Sequence, residues 1–394
     1  MTEPLFVGAS SWVSCLGEGW LAHARALAAA ASGLARGAFP PASALDTWVG
    51  RVATADDAPL PSTFADYDCR NNRLAWRALG HDGLDAAVRR TVARVGAARV
   101  GVFVGTSTSG ILDTELVARH AALRGEPPAF ESRRYAGCHS LFATTRFLMA
   151  WFGLRGPAMT VSTACSSSAK VFVAARRAIR AGRCEAAIVA GVDSLALSTL
   201  YGFHALQLLS ASPCRPCAAD RDGISIGEAA AIALVGSEPT DVALTGAGES
   251  SDAHHMSTPP ADGNGARRAM AAALADAGLA PSSIDYINLH GTGTPANDAA
   301  EAAAIRAVFA SPPLASSTKG ATGHALGAAG TLEALVSIHA LRAGCVPANV
   351  GTPSPDPRLG LAIACAPTPA RLSHVLSNSF GFGGSNCTLV FART

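Results

Sequence analysis

Short apolar runs alternate along the chain with longer stretches of mixed apolar and polar residues. The clearest run is residues 99–104, Arg-Val-Gly-Val-Phe-Val, and similar runs lie at 185–191 and 230–235. These runs are apolar at nearly every position rather than at every second one, which is typical of strands buried on both faces. The pattern predicts an α/β fold in which helices cover both sides of a parallel sheet.

The same periodicities predict the other main elements. They are a strand at 5–7, an alanine-rich helix at 20–35, a helix carrying Arg70, Arg73 and Arg77, a strand at 284–289 and a final strand at 387–391. Two pairs of segments are also similar to each other. A strand followed by Gly-Thr-x-Thr occurs at 102–108 and at 287–294, and two helices end in Arg-Ala-Gly, at Gly182 and Gly344. These similarities indicate an old duplication, with chance similarity in an alanine-rich chain as the alternative. A duplication would bring the helices that follow Cys165 and His324 together at one pocket.

Composition narrows the class of protein. The 394 residues suit two domains or one large fold built from two halves. The net charge is only +2 and the arginines lie among acidic residues, so we expect no whole-protein basic surface for nucleic acid. No apolar run approaches a membrane span, and the first residues lack a secretory signal, which predicts a cytoplasmic protein. The ten cysteines are then expected to be reduced thiols.

Cys165 differs from the other cysteines in its local sequence. Residues 161–169 read Val-Ser-Thr-Ala-Cys-Ser-Ser-Ser-Ala, a β-branched run followed by small residues that open a helix. A cysteine at a helix N-terminus lies near unpaired N–H groups and the positive end of the helix dipole, and both favour the thiolate. The small neighbours leave room for a substrate. We therefore predict a nucleophile, and a packed structural cysteine is the alternative.

Two histidines lie in glycine-rich segments. His290 ends the strand at 284–289 and precedes Gly-Thr-Gly-Thr, and His324 follows Lys319 in Lys-Gly-Ala-Thr-Gly-His. Glycine lets the backbone approach a ligand closely, so both histidines are candidate site residues. A satisfied structural histidine is the alternative for His290. Lys319 is either a surface lysine or a buried one that pairs with Glu301.

A loop rich in glycine and phenylalanine precedes the final strand. Residues 377–386 read Ser-Asn-Ser-Phe-Gly-Phe-Gly-Gly-Ser-Asn, and the backbone N–H groups of such a loop can face an anion. Cys214-Arg-Pro-Cys217 and His254-His255 are weak metal motifs, because no second pair of ligands follows at zinc spacing. We expect no metal site.

Taken together, several segments in order closely resemble the elongating β-ketoacyl-[acyl-carrier-protein] synthases of the thiolase superfamily. The segments are Ser162-Thr-Ala-Cys165-Ser-Ser, Arg221-Asp-Gly223, Ser251-Asp-Ala-His-His-Met256, His290-Gly-Thr-Gly-Thr-Pro295, residues 319–330 and residues 378–386. The resemblance implies a thiolase fold of five αβαβα layers with two similar halves. Residues 1–240 would carry the cysteine and residues 241–394 the two histidines, lysine and Gly/Phe loop. The family also implies a homodimer.

The resemblance further implies a decarboxylative Claisen condensation. Cys165 would take an acyl chain from acyl carrier protein as a thioester, and His290 and His324 would polarise the malonyl thioester and assist its decarboxylation. The resulting carbanion would attack the acyl group, giving 3-oxoacyl-[acyl-carrier protein] and CO₂. Lys319, held by Glu301, would orient the His324 region. The protein would need no metal or organic cofactor of its own, since its substrates are carried on phosphopantetheine.

The remaining implied roles concern the oxyanion, the substrate and the carrier. The backbone N–H groups of Cys165 and Phe382 would form the oxyanion hole, and Phe382 would gate the acyl pocket. The implied substrate-binding residues are Thr292 and Thr294 for phosphopantetheine, Phe203 and Phe380 at the pocket, and Ile111 towards the pocket of a partner. The helix with Arg70, Arg73 and Arg77 is the candidate docking surface for the acidic carrier protein, and a solvated basic face is the alternative.

Four alternatives to a homodimeric condensing enzyme are compared with the sequence. A degradative thiolase would carry a second catalytic cysteine where this chain has Phe380-Gly-Phe382. A non-catalytic chain-length subunit would lack the nucleophile, whereas Cys165, His290 and His324 are all present. A cysteine hydrolase would have no use for the second histidine. The implied condensation would serve chain elongation in fatty acid, aryl polyene or polyketide synthesis. The chain could instead be the catalytic subunit of a heterodimer with a chain-length-factor-like partner, as in polyketide or aryl polyene pathways.

Overall fold

The structure is a computed structural model that describes residues 4–130 and 132–394. Its strands are β1 Leu5–Ser14, β2 Gly17–Glu18, β3 Ala35–Arg36, β4 Trp48–Gly50, β5 Val100–Gly105, β6 Ala158–Val161, β7 Ala186–Asp193, β8 Ile226–Gly227, β9 Ala229–Gly236, β10 Val242–Ser251, β11 Tyr286–Asn288, β12 Leu314–Ser316, β13 Cys345–Val346, β14 Thr368–Pro369, β15 His374–Gly381 and β16 Ser385–Arg393. Its helices are α1 Gly19–Ala28, α2 Arg70–Leu79, α3 Leu84–Val95, α4 Ile111–Arg124, α5 Ser132–Arg134, α6 Ala143–Phe152, α7 Ser167–Arg180, α8 Leu197–Ala205, α9 Asn264–Ala277, α10 Pro295–Val308, α11 Lys319–Thr322 and α12 Ala329–Ala343.

The main strands repeat one arrangement twice. Outward from the β1–β10 contact, the order is β1-β9-β7-β5-β6 on one side and β10-β16-β15-β11-β12 on the other. In both series the first two pairings are antiparallel and the last two are parallel. The two similar segments of the sequence, at 102–108 and 287–294, thus follow the equivalent strands β5 and β11. The predicted division at 240/241 lies between β9 and β10 and stays a prediction.

Three layers of helices cover these strands. Helices α2, α3 and α6 pack on the outer face of the first series, and α9 packs on the outer face of β10 and β16. Helices α7 and α12 lie between the two series and contact strands of both. The result is the αβαβα thiolase fold, as predicted from the sequence.

The N-terminus of α7 lies very close to its neighbours because glycines face it. A Cβ atom on Gly105 of β5 would lie 2.3 Å from the Cα of Ser168, and one on Gly191 of β7 would lie 2.7 Å from the Ser168 Cβ. On α12, a Cβ on Gly330 would lie 2.3 Å from the backbone nitrogen of Ala169. The residues just before α7, which include Cys165, are therefore fixed by backbone-to-backbone packing.

Two predictions about the elements are wrong. Each series is mixed rather than parallel, because burial on both faces produces apolar strands whichever way their neighbours run. The first helix ends at Ala28 instead of residue 35. Ala30 there adopts a left-handed conformation (φ 49°), and the Gly33 N–H donates to the carbonyl of Ala321 at 2.9 Å. A tertiary contact thus overrides the helix propensity of an alanine-rich segment.

Within residues 4–130 and 132–394, the helices are too short or too polar to cross a membrane. The cytoplasmic location stays a prediction.

Replacing Gly330 with Ala should destabilise the fold, since the added methyl would collide with the backbone of α7. We expect Gly330→Ala to lower the free energy of unfolding by about 1–3 kcal/mol, as overpacked core positions do. The control is Gly202→Ala in α8, where a Cβ meets no atom within 4 Å and the effect should stay within about 1 kcal/mol. Urea unfolding followed by circular dichroism measures both, and equal midpoints for the two variants would contradict the packing described.

Candidate active site

Cys165 sits on a tight turn between β6 and α7. The preceding residue, Ala164, has a φ of 52°, a left-handed conformation that costs a non-glycine residue about 1–2 kcal/mol. Hydroxyl groups hold this turn: Ser166 Oγ donates to the Thr163 carbonyl at 3.0 Å, and Ser167 Oγ donates to the Ala164 carbonyl at 2.5 Å. The serines were expected to leave open space around the sulfur. They instead are fully buried and brace the strained turn that presents it.

His324 reaches the sulfur from the other half of the chain. Its Nε2 lies 2.9 Å from Cys165 Sγ, and the imidazole is buried. The backbone of His324 is held by β8 and its neighbours, since its N–H donates to the Ser225 carbonyl at 2.8 Å and its carbonyl accepts from the Gly227 N–H at 3.0 Å. The expectation that segments preceding α7 and α12 converge on one pocket is met by this contact.

His290 completes a group of three donors with the cysteine and His324. One atom from each of the three side chains lies within 4.8 Å of the other two, and the two imidazole rings meet edge to face with centroids 5.3 Å apart. The loop carrying His290 is fixed by Glu301 of α10, whose carboxylate accepts the N–H groups of His290 at 2.9 Å and Gly291 at 2.8 Å. Asn378 of β15 donates to the same carboxylate at 3.0 Å.

Lys319 is buried, but its partner is not the predicted one. Its Nζ forms an ion pair with Glu333 of α12 and donates to the carbonyl oxygen of His290. The predicted pairing of Lys319 with Glu301 is therefore wrong: Glu301 already accepts backbone donors, whereas Glu333 rises from α12 directly towards the ammonium. The lysine still links the two histidine segments, because it begins α11 just before His324 and touches the backbone of His290.

Two carboxylates that hold the site were missed in the sequence. The first is Glu333. Its sequence carried a signal, because Glu333 is the single acidic residue of the apolar stretch 329–341, where a charge needs a buried partner. Asp193, at the end of β7, is the other. It accepts from Thr106 Oγ1 at 2.5 Å, from the N–H groups of residues 107 and 108 at 2.9 Å, and from the Gly327 N–H at 2.6 Å. Asp193 thereby joins the loop after β5 to the turn that precedes α12.

Burial governs protonation at the three catalytic candidates. It raises the pKa of the Cys165 thiol to about 11, although the Phe382 N–H and the positive charge of Lys319 act in the opposite direction. Burial and the Lys319 charge also hold the pKa of both His290 and His324 well below the usual range. The unliganded site thus contains a neutral thiol beside a neutral imidazole. Burial thus opposes the thiolate that the helix terminus is predicted to favour, and the balance between the two effects stays a prediction.

The sulfur lies where two cavities meet. The first, of about 310 Å³, is lined by both histidines, by Thr292 and Thr294 and by Phe380. The hydroxyls of the two threonines lie 3.0 Å apart. The second cavity, of about 290 Å³, is lined by Ser198, Thr199, Gly202 and Phe203 of α8 and, from other elements, by Ser107, Ala164, Leu206, Leu326 and Phe382. Cys165 contributes to the wall of both.

A pair of stacked rings separates the two cavities. Phe203 of α8 and Phe382 of the Gly/Phe loop lie with centroids 5.5 Å apart and planes inclined by 26°, and both rings line both cavities. The N–H of Phe382 also points at the sulfur, as its effect on the thiol pKa indicates. The structure therefore brings together the predicted residues Phe203, Phe380 and Phe382 around Cys165.

The predicted docking arginines do not form a free basic face. Arg70 is buried and binds Glu228 and Asp56, Arg73 binds Asp68 at 2.7 Å, and Arg77 binds Glu18 at 2.6 Å. The ion pairs of Arg70 and Arg73 brace the start of α2, and that of Arg77 joins α2 to β2. The prediction is therefore wrong for the buried Arg70, and docking by the partly exposed Arg73 and Arg77 stays a prediction.

Ile111 is the first residue of α4 and lines neither of the two cavities in the described residues. Its predicted contact with a partner's pocket stays a prediction.

Comparison with known proteins places this geometry in a family. The model of the β-ketoacyl synthase N-terminal domain matches residues 70–240, and that of the C-terminal domain matches residues 242–352. Over 322 residues the chain is 37% identical to the mitochondrial 3-oxoacyl-[acyl-carrier-protein] synthase of Arabidopsis thaliana, an alignment that covers 75% of this chain and 68% of the relative. The chain belongs to the β-ketoacyl synthase family.

Other relatives of the synthase have the same family and enzyme class. It is 35% identical to 3-oxoacyl-[acyl-carrier-protein] synthase 2 of Vibrio cholerae, covering 75% of this chain and 76% of the relative. Among solved structures, the complex of the ketosynthase ApeO with its chain length factor ApeC from Xenorhabdus doucetiae contains a chain with a TM-score of 0.89 and 35% identity, covering 100% of this chain and 98% of that one. The family and enzyme class predicted from the sequence are confirmed.

Alkylation of Cys165 should report its protonation directly. Because the thiolate is the reactive form and the thiol pKa is raised to about 11, the rate with iodoacetamide should climb about tenfold per pH unit from about pH 7 to about pH 10 without levelling off. Peptide mapping by mass spectrometry measures modification at this residue, with the Cys165→Ala variant showing the background of the same assay. A rate that levels off near pH 7 would mean that the helix terminus outweighs burial.

Proposed function

We propose that this synthase condenses an acyl group held on Cys165 with malonyl-[acyl-carrier protein], releasing CO₂ and 3-oxoacyl-[acyl-carrier protein]. The observation that carries the proposal is the position of the Cys165 sulfur, within 2.9 Å of His324 Nε2 and at the junction of two cavities. A condensing enzyme needs such a junction, since the acyl chain and the extender must approach the same carbonyl carbon from different directions.

In the first half-reaction the Cys165 thiol attacks the incoming acyl thioester. His324 is neutral in the resting site, so its Nε2 can accept the thiol proton as the carbon–sulfur bond forms. The proton then goes to the departing phosphopantetheine thiolate, which leaves as a thiol. The N–H groups of Cys165 and Phe382, both near the sulfur, are placed to stabilise the oxyanion of the tetrahedral intermediate.

In the second half-reaction the malonyl thioester loses CO₂. Negative charge then grows on its thioester oxygen, and a neutral imidazole can donate one N–H to it. His290 and His324 both line the cavity in which that oxygen would lie. Lys319 contributes indirectly, because its positive charge holds the pKa of both imidazoles down and its ammonium fixes the backbone of His290. The carbanion attacks the acyl carbonyl, the Cys165 thiolate leaves, and it takes up one proton from water to restore the thiol.

The first cavity is the proposed route for the carrier arm. Thr292 and Thr294 present hydroxyls along its wall, which suit the amides of phosphopantetheine. The second cavity is the proposed site of the acyl chain, and the Phe203–Phe382 stack is the proposed gate between the two. Acyl carrier protein is the proposed donor, on the names of the relatives from Arabidopsis thaliana and Vibrio cholerae. The absence of a cofactor of its own stays a prediction.

Two histidine variants separate the half-reactions, because His324 contacts the sulfur and His290 is placed to act on the extender. We expect His290→Ala to form the acyl-Cys165 adduct at a near-normal rate but to slow condensation by about 10²- to 10³-fold, the usual cost of one oxyanion donor. His324→Ala should slow both steps. Intact-mass measurement with a panel of acyl-carrier proteins follows the first step, and release of CO₂ from malonyl-carrier protein in the presence of acyl donor follows the second.

Cys165→Ala is the control for this experiment and should form neither adduct nor 3-oxoacyl product. Condensation that survives in Cys165→Ala, together with no adduct on the unaltered protein from any donor, would contradict the proposed function. Equal effects of the two histidine variants on both steps would contradict the division of labour but leave the reaction itself intact.

The subunit that completes the enzyme is proposed on a separate observation. The 35% identity to a chain in the ketosynthase–chain length factor complex favours a heterodimer in which this chain, with its nucleophile present, is the catalytic subunit. The family resemblance alone suggested a homodimer. Native mass spectrometry of the tagged chain purified from its own cells should therefore show one copy of this chain with one different synthase-like chain. Twice the mass of this chain would mean a homodimer, and a single copy would contradict both.

A further inference from the structure

A second group of reactive side chains lies at the start of α2, away from the catalytic pocket. Cys69 immediately precedes α2, Cys138 lies in the π-helical turn Tyr135–His139, and Asp113 belongs to α4. One donor atom from each of these three side chains lies within 4.8 Å of the other two. Both cysteines are buried and free of any disulfide.

The two sulfurs interact directly. The Cys69 thiol hydrogen-bonds to the sulfur of Cys138 and thereby lowers the pKa of Cys138, and the Arg134 guanidinium acts in the same direction. That interaction, together with burial, raises the pKa of Cys69 itself. A thiol that donates to a second sulfur of lowered pKa is the arrangement in which one cysteine attacks an oxidant and the other resolves the product.

A cavity gives a small oxidant access to Cys138. Cys138 lines a cavity of about 510 Å³, together with Arg134, Tyr135 and Phe130. The last two of these side chains are exposed, at 59% and 53%. Behind the pair, Gly110 leaves the space that a side chain would otherwise take: a Cβ there would lie 2.7 Å from the Cys69 sulfur. The two sulfurs lie within 4.8 Å of each other, and Cys138 contributes to the cavity wall.

We propose that Cys69 and Cys138 form an oxidation site that closes to a disulfide on reaction with a peroxide. The Cys138 thiolate attacks one peroxide oxygen, the O–O bond breaks, and the departing hydroxide takes a proton to leave as water, so that Cys138 becomes a sulfenic acid. Cys69 then attacks the Cys138 sulfur, the S–O bond breaks, and the second oxygen leaves as water with the Cys69 proton. Two thiols are oxidised and one molecule of hydrogen peroxide is reduced to two of water.

The same three donors could instead hold a soft metal ion, but the charges favour the thiol pair. Asp113 already has a cation beside it, since an Arg134 guanidinium nitrogen lies 3.5 Å from its carboxylate oxygen. The carbonyl oxygens of Asp66 and Asp68 also lie 3.6 and 3.7 Å from the Cys138 sulfur, where they accept from its protonated form. The disulfide would tie the start of α2 to the turn at Tyr135–His139.

Peroxide titration of the intact protein tests the site. We expect peptide mapping without reductant, after alkylation of free thiols, to find a peptide pair joined through Cys69 and Cys138 that has lost two hydrogens. This link should form at lower peroxide concentration than oxidation of Cys365, which is exposed but has no partner of this kind among the described residues. Cys214 and Cys217 serve as the matched control: two buried cysteines close in sequence, for which we expect no link.

Variants assign the order of attack. Cys69→Ser should prevent the link and let a sulfenic acid accumulate on Cys138, where dimedone traps it, whereas Cys138→Ser should abolish both the link and the trapped product. Dimedone labelling of Cys69 in Cys138→Ser would overturn the assignment of Cys138 as the attacking sulfur. The proposal as a whole is overturned if the unaltered protein links another pair or oxidises Cys365 first. Purification with a zinc ion that blocks oxidation until a chelator removes it would also overturn it.

Discussion

The close contact of the α7 N-terminus with β5, β7 and α12 is the constraint on which the site depends. Gly105, Gly191 and Gly330 remove side chains from three sides of residues 168 and 169, so that backbones meet directly. Such packing leaves little room for movement, because protein interiors are dense and an added or displaced methyl group collides with its neighbours. Cys165 lies three residues before this contact, so the contact also fixes the position of the Cys165 backbone. The same contact joins the two halves of the fold, which is why groups from both halves can meet at one sulfur.

Buried carboxylates hold the loops of the site in place where backbone packing does not reach them. Glu301 binds the backbone of the His290 loop, Asp193 binds the loop after β5 and the turn before α12, and Glu333 neutralises Lys319. Each carboxylate is buried: Glu301 and Asp193 accept several hydrogen bonds and Glu333 pairs with Lys319, and without such partners the burial would be very unfavourable. Burial raises the pKa of Glu301 and of Glu333 to about 7. Burial thus lowers the pKa of both imidazoles, and the positive charge of Lys319 lowers it further from a position against the backbone of His290.

The sequence allowed the reacting residues to be predicted but not their supports. Cys165, His290 and His324 could be found because small residues and glycines mark places where backbone and ligand approach each other, and such marks are local. The partner of Lys319 depends on where α12 crosses the lysine in space, so proximity in sequence to His290 suggested Glu301 and was misleading. The ion pairs of Arg70 and Arg77 in α2 could not be predicted for the same reason, because their partners Glu228 and Glu18 are far away in the sequence. The direction of neighbouring strands could not be predicted either, because the apolar pattern of a strand does not depend on whether its neighbour runs parallel or antiparallel.

The stacked rings of Phe203 and Phe382 have a consequence for timing. A malonyl group needs only the first cavity to reach both imidazoles, whereas an acyl chain must also pass the ring pair to occupy the second. Under the proposed function, the closed stack would leave extender and histidines in contact while the acyl chain was still absent, and decarboxylation at that moment would waste the extender. Under the same proposal, opening of the ring pair would couple loading to decarboxylation, and the N–H of Phe382 lies beside the sulfur that would carry the acyl group.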